Sequence, residues 1–318
     1  MYNTAQKRRY LQSLIDRGAV SNSKQTEAMF NVMGQFEEQV GKDLSLFSND
    51  EVADLYAFAS YGTIRVYRTM QSNLSRYVDW CISEGLVPDC QNRYNLGANE
   101  FEKFLNKNIT AMRFMDREFL LRSISGMINI RDACFLLSLF EFGTGRSHRD
   151  IFTMKISDID VENRKLRLYK RTVDVSNDWI GYALKTVDEK IIYDYPQQGQ
   201  FQEETKKHVL ESGTYIYRDV VYIKEGIRDF DDNVPNRRVT KMMNQRFRKM
   251  ADYLGFSKAV NESSIIDSGR ICYIKQNAKK LGMSVEDYMA THEGDIRNQF
   301  GITFLRTNFI RQYRDYLT

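Results

Sequence analysis

Two runs of long cations carry the plainest chemistry in this 318-residue chain. Arg65, Arg68 and Arg76 fall within a narrow arc of one amphipathic pattern, and Arg238, Lys241, Gln245 and Arg248 form a ladder along a second. Guanidinium and ammonium groups spaced along one face neutralise phosphates, and an amide among them has the donor and acceptor that an adenine edge requires. A solvated polar face is the plain alternative for either run, because surface helices carry charge by default. Metal chemistry is disfavoured. His148, His208 and His292 are widely separated with no HxxxH pair. Cys81, Cys90, Cys134 and Cys272 lack CxxC spacing, and three of them sit inside apolar helical patterns, where a thiol acts as a small hydrophobe. Neither a metal, a cofactor nor a disulfide framework is expected. The net charge of +4 permits a nucleic-acid partner without demanding one.

Those residues need elements to position them. With 42% hydrophobic and 28% charged residues and 3 prolines, the chain reads as globular, long enough for two domains. No stretch approaches the roughly 20 apolar residues of a membrane span. The first residues lack an apolar signal core, so a cytoplasmic location is expected. From Gln6 to about Cys90 the pattern is helical: Tyr10, Leu11, Leu14 and Ile15 recur at the helical period, as do Met29, Val32, Met33, Phe36 and Val40. A third helix starts after Thr63 as N-cap, aligns Tyr67, Met70, Leu74, Tyr77 and Cys81, and ends at Gly85, with the three arginines on its other side. Residues 84–99 read as a loop, followed by a short helix from Glu100 to Leu105. Two more helices follow, the second, RDACFLLSLFEFG, apolar enough to be a buried central one.

After Gly145 the texture changes. The runs at 165–170, 178–184 and 190–195 read as strands of a small sheet, and 214–224 as a further strand or hairpin, although that run is also compatible with helix. Helix returns from Val239 to Leu254, with Val239, Met243, Phe247, Met250 and Leu254 on its buried side and Arg238, Lys241, Gln245 and Arg248 opposite. The fold class expected is α+β: an all-α amino-terminal domain over residues 1–112 and a mixed α+β domain over 113–318.

One segment adds more. FGTGRSHRDIFTMKISDID, residues 142–160, resembles the first motif of tyrosine recombinases and phage integrases: an apolar helix ending in Thr-Gly, an arginine, an acidic residue, an apolar helix and a closing Ser-Asp-Ile-Asp before a strand. The resemblance implies a core-binding-like helical domain followed by a catalytic-fold domain, with DNA held between the two. It implies a lysine on the next hairpin, for which Lys170 is the nearest candidate, with Arg171 and Lys185 close behind. The family's second motif, His or Lys followed three residues later by Arg, falls on Asp267 and Arg270, and His292 lies 22 residues after Arg270. In register, the first arginine position falls on Ser147, so Arg146 matches only after a one-residue shift, with Arg149 as the other neighbour.

The nucleophile is where the match fails. Nine residues beyond His292 stands Gly301, and the first tyrosines downstream are Tyr313 and Tyr316. Tyrosine-mediated cleavage needs a phenolate in line with phosphorus, two guanidiniums on the non-bridging oxygens and a proton donor for the leaving oxygen. Asp267 would repel the phosphate that its position should hold. What remains of the family set is Arg146, Lys170, Arg270 and His292, with Arg270 and His292 able to clasp a phosphate without cutting it. The helix 304–317 most simply buries Phe304, Phe309 and Tyr313 or Tyr316 as packing residues. The expectation is a sequence-specific binder of double-stranded DNA in a bacterial cytoplasm, without strand cleavage, serving as a prophage repressor that maintains lysogeny. A regulatory protein partner is compatible with that role. The alternatives are an active recombinase with a displaced tyrosine, and an interaction protein on the same fold that does not touch DNA.

Overall fold

The computed structural model describes residues 1–18, 23–88, 91–97, 100–145, 148–196, 207–210, 214–217, 237–301 and 306–317. The chain divides into two compact units, Met1–Thr110 and Ala111–Thr318. The first holds α1 (Thr4–Asp16), α2 (Lys24–Val40), α3 (Asn49–Ala59), α4 (Ile64–Ser83) and most of α5 (Lys107–Arg113). Helix α3 is a separate element, so the helix expected third is the fourth. It starts because Ser48 and Glu51 close a capping box, Glu51 N–H donating to Ser48 Oγ and Ser48 N–H to Glu51. Thr63 caps α4 as expected, and the stripe Tyr67, Met70, Leu74, Tyr77 and Cys81 is fully buried. The short helix expected after residue 99 is a 3-10 turn, Glu100–Phe104. The core of this unit is aromatic: Tyr77 lies 5.2 Å from Tyr10 and 5.0 Å from Phe30, ring centre to ring centre.

Lys7 is wholly buried in that core. Its ammonium donates to Glu37 at 2.5 Å and Asp43 at 3.2 Å, while the Tyr77 hydroxyl donates to Asp43 at 2.9 Å. A buried cation is tolerable only with such partners.

The second unit is built on α7 (Ile130–Glu141), flanked by α6 (Arg117–Ser125). Every residue of α7 from Arg131 to Phe140 is buried, in keeping with its apolar sequence. Its amino terminus is capped by Glu189, which accepts from the N–H groups of Ile130 and Arg131. After the short α8 (Arg149–Thr153) come β1 (Ile159–Asp160), β2 (Lys165–Arg167) and β3 (Thr172–Asp174), antiparallel in that order, with Ile159 opposite Leu166 and Leu166 opposite Val173. A second, two-stranded sheet pairs β4 (Ile191–Tyr193) with β5 (Lys207–Val209).

The strand expected at 178–184 is a helix, α9 (Asn177–Lys185). Ser176 caps it by accepting from Trp179 N–H, and Trp179, Ile180 and Ala183 point inward at helical spacing, a pattern that seven residues of aromatic and β-branched texture obscured. Of 214–224, residues 214–217 are described: Tyr215 makes a single bridge to Lys155, and the rest of that run lies outside the described residues. Helices complete the unit: α10 (Arg237–Tyr253), α11 (Glu262–Leu281), α12 (Val285–Thr291), α13 (Glu293–Phe300) and α14 (Arg306–Leu317). The two central helices meet at Gly269 of α11, where a Cβ would stand 1.7 Å from the Phe140 carbonyl oxygen of α7. No described helix is long and apolar enough to cross a membrane.

Candidate functional site

Arg270 sits in α11, three residues after Asp267, and is 5% exposed. One of its terminal nitrogens donates to Asp267 Oδ1 at 2.8 Å. The other carboxylate oxygen, Oδ2, accepts from the Tyr313 hydroxyl at 2.7 Å. Phe300 and Phe309 hold their rings 5.3 Å from the guanidinium carbon, a cation–π enclosure that keeps the group in place. Asp267, which by its charge should repel a phosphate, is thus the common acceptor of the arginine and the first tyrosine after His292. Tyr313 itself is 2% exposed and marks a kink in α14, with φ −120° and ψ 21°. Burial, and then the neighbouring carboxylate, push its phenol far above its ordinary value. Tyr316, half-buried, packs against Phe114 at 4.6 Å. Phe309 and Tyr313 are packing residues as expected, while Phe304 lies outside the described residues.

The first motif folds around a different arginine. Arg146 and Ser147, on which the register of the first arginine turns, lie outside the described residues. Gly143 and Gly145 adopt φ of 73° and 67°, and His148, φ 62°, starts α8 with its Nε2 2.7 Å from Glu262. The Arg149 guanidinium lies 3.6 Å over the Tyr169 ring. Arg171, considered beside Lys170 for the hairpin lysine, is a half-buried strut: it donates to Asp150 at 2.6 Å, to the Phe142 carbonyl at 3.0 Å and to the carbonyls of Asn298 and Gln299. Lys170 is exposed on the hairpin, its Nζ 5.4 Å from the Tyr169 ring, and Lys185 is exposed at the end of α9.

His292 joins α12 to α13. Its ring stacks on Tyr288 at 4.6 Å, its Nδ1 is 2.8 Å from Thr291 Oγ1, and it lines a cleft with Lys165, Asp174 and Lys280. Arg270 and His292 therefore have different surroundings, one an enclosed aromatic chamber and the other an open polar cleft.

The two cationic faces are displayed. On α4, Arg65 and Arg76 are exposed and Arg68 is half-buried. At 100° per residue the three lie within an arc of about 80°. On α10, Met243, Phe247 and Met250 are buried and Lys241, Gln245 and Arg248 exposed; the side chains of Arg238 and Val239 lie outside the described ones. Between the exposed groups is a residue that sequence reasoning passed over. Arg246 grips Asp132 of α7, Nε to Oδ1 at 2.9 Å and Nη2 to Oδ2 at 2.5 Å. Asp132 is fully buried and also accepts from Tyr195, Tyr217 and Asn129. The available signal was an aspartate inside a helix apolar enough to be buried, since a buried carboxylate requires a cationic partner. The fork fixes the rotation of α10 and hence the direction in which Lys241, Gln245 and Arg248 point.

Comparison with known proteins bears on both parts of the chain. The family model described as the MrpR N-terminal core-binding domain matches residues 1–83, and the one described as the MrpR C-terminal catalytic domain matches residues 114–318. Among solved structures, a crystal structure of XerA recombinase aligns over 96% of this chain and 93% of that one, at 11% identity and a TM-score of 0.39. No curated protein matches the chain. With an all-helical amino-terminal domain followed by a mixed α+β domain, and with the second family model spanning more than half of its length, the chain belongs to the MrpR family.

Proposed function

We propose that this protein binds double-stranded DNA at specific sequences without cutting it, and that it acts as a transcriptional repressor holding a prophage in lysogeny. In its pattern of losses it is similar to the master repressor of SPβ-type Bacillus prophages. The observation that carries the reading is the state of Tyr313: its hydroxyl is committed to the Asp267 carboxylate inside the protein, 2% exposed, which disfavours the phenolate that an in-line attack requires. The exposed cations on α4 and α10 supply what DNA binding needs instead, phosphate neutralisation together with an amide placed for base contact.

The test is incubation of the purified protein with DNA from its own genome, followed by gel retardation and by a search for denaturant-resistant protein–DNA adducts. Retention of specific fragments without adducts is the expected result. Adducts that vanish in Tyr313→Phe or Tyr316→Phe would instead make the protein a working recombinase, and absence of any specific retention would make it an interaction protein.

A further inference from the structure

The Asp267 carboxylate has an unusual position between its two donors. Arg270 reaches Oδ1 from within α11, and Tyr313 reaches Oδ2 from α14, 46 residues further along the chain. Arg270 and Tyr313 are 5% and 2% exposed, whereas the Asp267 side chain is 21% exposed. The carboxylate therefore stands at the mouth of the chamber, with solvent on one side and two convergent donors on the other. Phe300 and Phe309 clasp the guanidinium, so its direction is set by packing and does not depend on the acid alone. A guanidinium and a phenol converging on one anion from separate helices form an oxyanion receptor, because both donate charge-assisted hydrogen bonds to neighbouring oxygens of the same group.

We propose that Arg270 and Tyr313 form an oxyanion-binding site that the protein fills with its own Asp267 carboxylate, and that removing this side chain opens the site to a tetrahedral oxyanion such as phosphate. The inference deepens the non-cleaving reading above and rests on it for its biological meaning: the internal anion keeps a backbone phosphate away from Arg270 and leaves DNA to the outer cationic faces. A buried guanidinium deprived of its counter-charge recruits another anion wherever solvent can deliver one.

Asp267→Ala vacates the mouth and tests the idea without DNA. Its melting temperature, followed in rising inorganic phosphate with chloride at matched ionic strength as the reference, should climb saturably, by about 3–6 °C at ten times the dissociation constant. Wild type should show no phosphate-specific rise, and Asp267→Ala combined with Arg270→Met should lose it. If Asp267→Ala does not fold alone, recovery of its native circular dichroism on adding phosphate is the same supporting result. A variant that neither melts higher nor refolds in phosphate overturns the proposal, as does a wild type that responds equally. Duplex DNA then identifies the source of the anion: tighter binding by Asp267→Ala, dependent on Arg270, means that a backbone phosphate reaches the site, and unchanged DNA affinity beside a phosphate response means that the site takes the free ion. Whether the wild type binds DNA at all bears on the repressor reading alone.

Discussion

At the scale of single residues, charges buried in each unit decide what the neighbouring groups can do. In the amino-terminal unit, burial raises both acids beside Lys7. For Glu37 the ammonium only partly offsets this and the group stays raised; for Asp43, Lys7 and the Ser45 hydrogen bonds more than reverse it and the group is lowered. The Asp43 contribution to stability is thus present above the ordinary carboxyl range and lost as pH falls through its depressed value, while that of Glu37 runs the other way. Lys7→Met removes the cation from both, and should destabilise the unit by about 3–5 kcal/mol at neutral pH. Glu37, already raised, then rises further, so its contribution should let the variant regain stability as pH is lowered toward the ordinary carboxyl value of about 4.3, opposite to the usual acid response. Denaturant midpoints across that range check the sign. In the second unit, Tyr313→Phe deletes a hydrogen bond to a partly buried carboxylate and should cost about 1.5–3 kcal/mol, read from the same kind of midpoint.

At the scale of elements, close approach and fixed rotation matter most. The crossing of α11 over α7 depends on Gly269, and Gly269→Ala would drive a methyl into the Phe140 carbonyl. A backbone oxygen cannot swing aside as a side chain can, so the loss should lie at or beyond the upper end of the about 1–3 kcal/mol usual for overpacking, lowering the melting temperature by about 2–4 °C per kcal/mol. Helix α10 is held by the Arg246–Asp132 fork. If the helix meets DNA as proposed, Lys241→Glu and Arg248→Glu each reduce affinity for all sequences and lower the salt slope by about one. Gln245→Ala should relax sequence preference and leave the slope nearly unchanged. Competition binding at several salt concentrations separates these behaviours.

At the scale of the whole molecule, the amino-acid pattern alone determined much of the architecture. The buried stripe of α4, its Thr63 cap, the apolar α7 and the amphipathic α10 are written in spacings of three and four residues, because a helix brings such neighbours onto one face regardless of what surrounds it. The resemblance of 142–160 to the first motif of tyrosine recombinases is likewise a property of a local string. Short segments were less so: Trp179, Ile180 and Ala183 suit a strand and a helix about equally until Ser176 caps one of them. What the tertiary structure decided lies in pairs distant along the chain. Tyr313 meets Asp267 across 46 residues, and Arg246 meets Asp132 across 114. Arg171 bridges Asp150 and the end of α13. A residue's type states what it is able to donate or accept, but only the packing of helices onto α7 selects its partner, and that choice makes one arginine a strut, another an enclosed cation and leaves a third exposed.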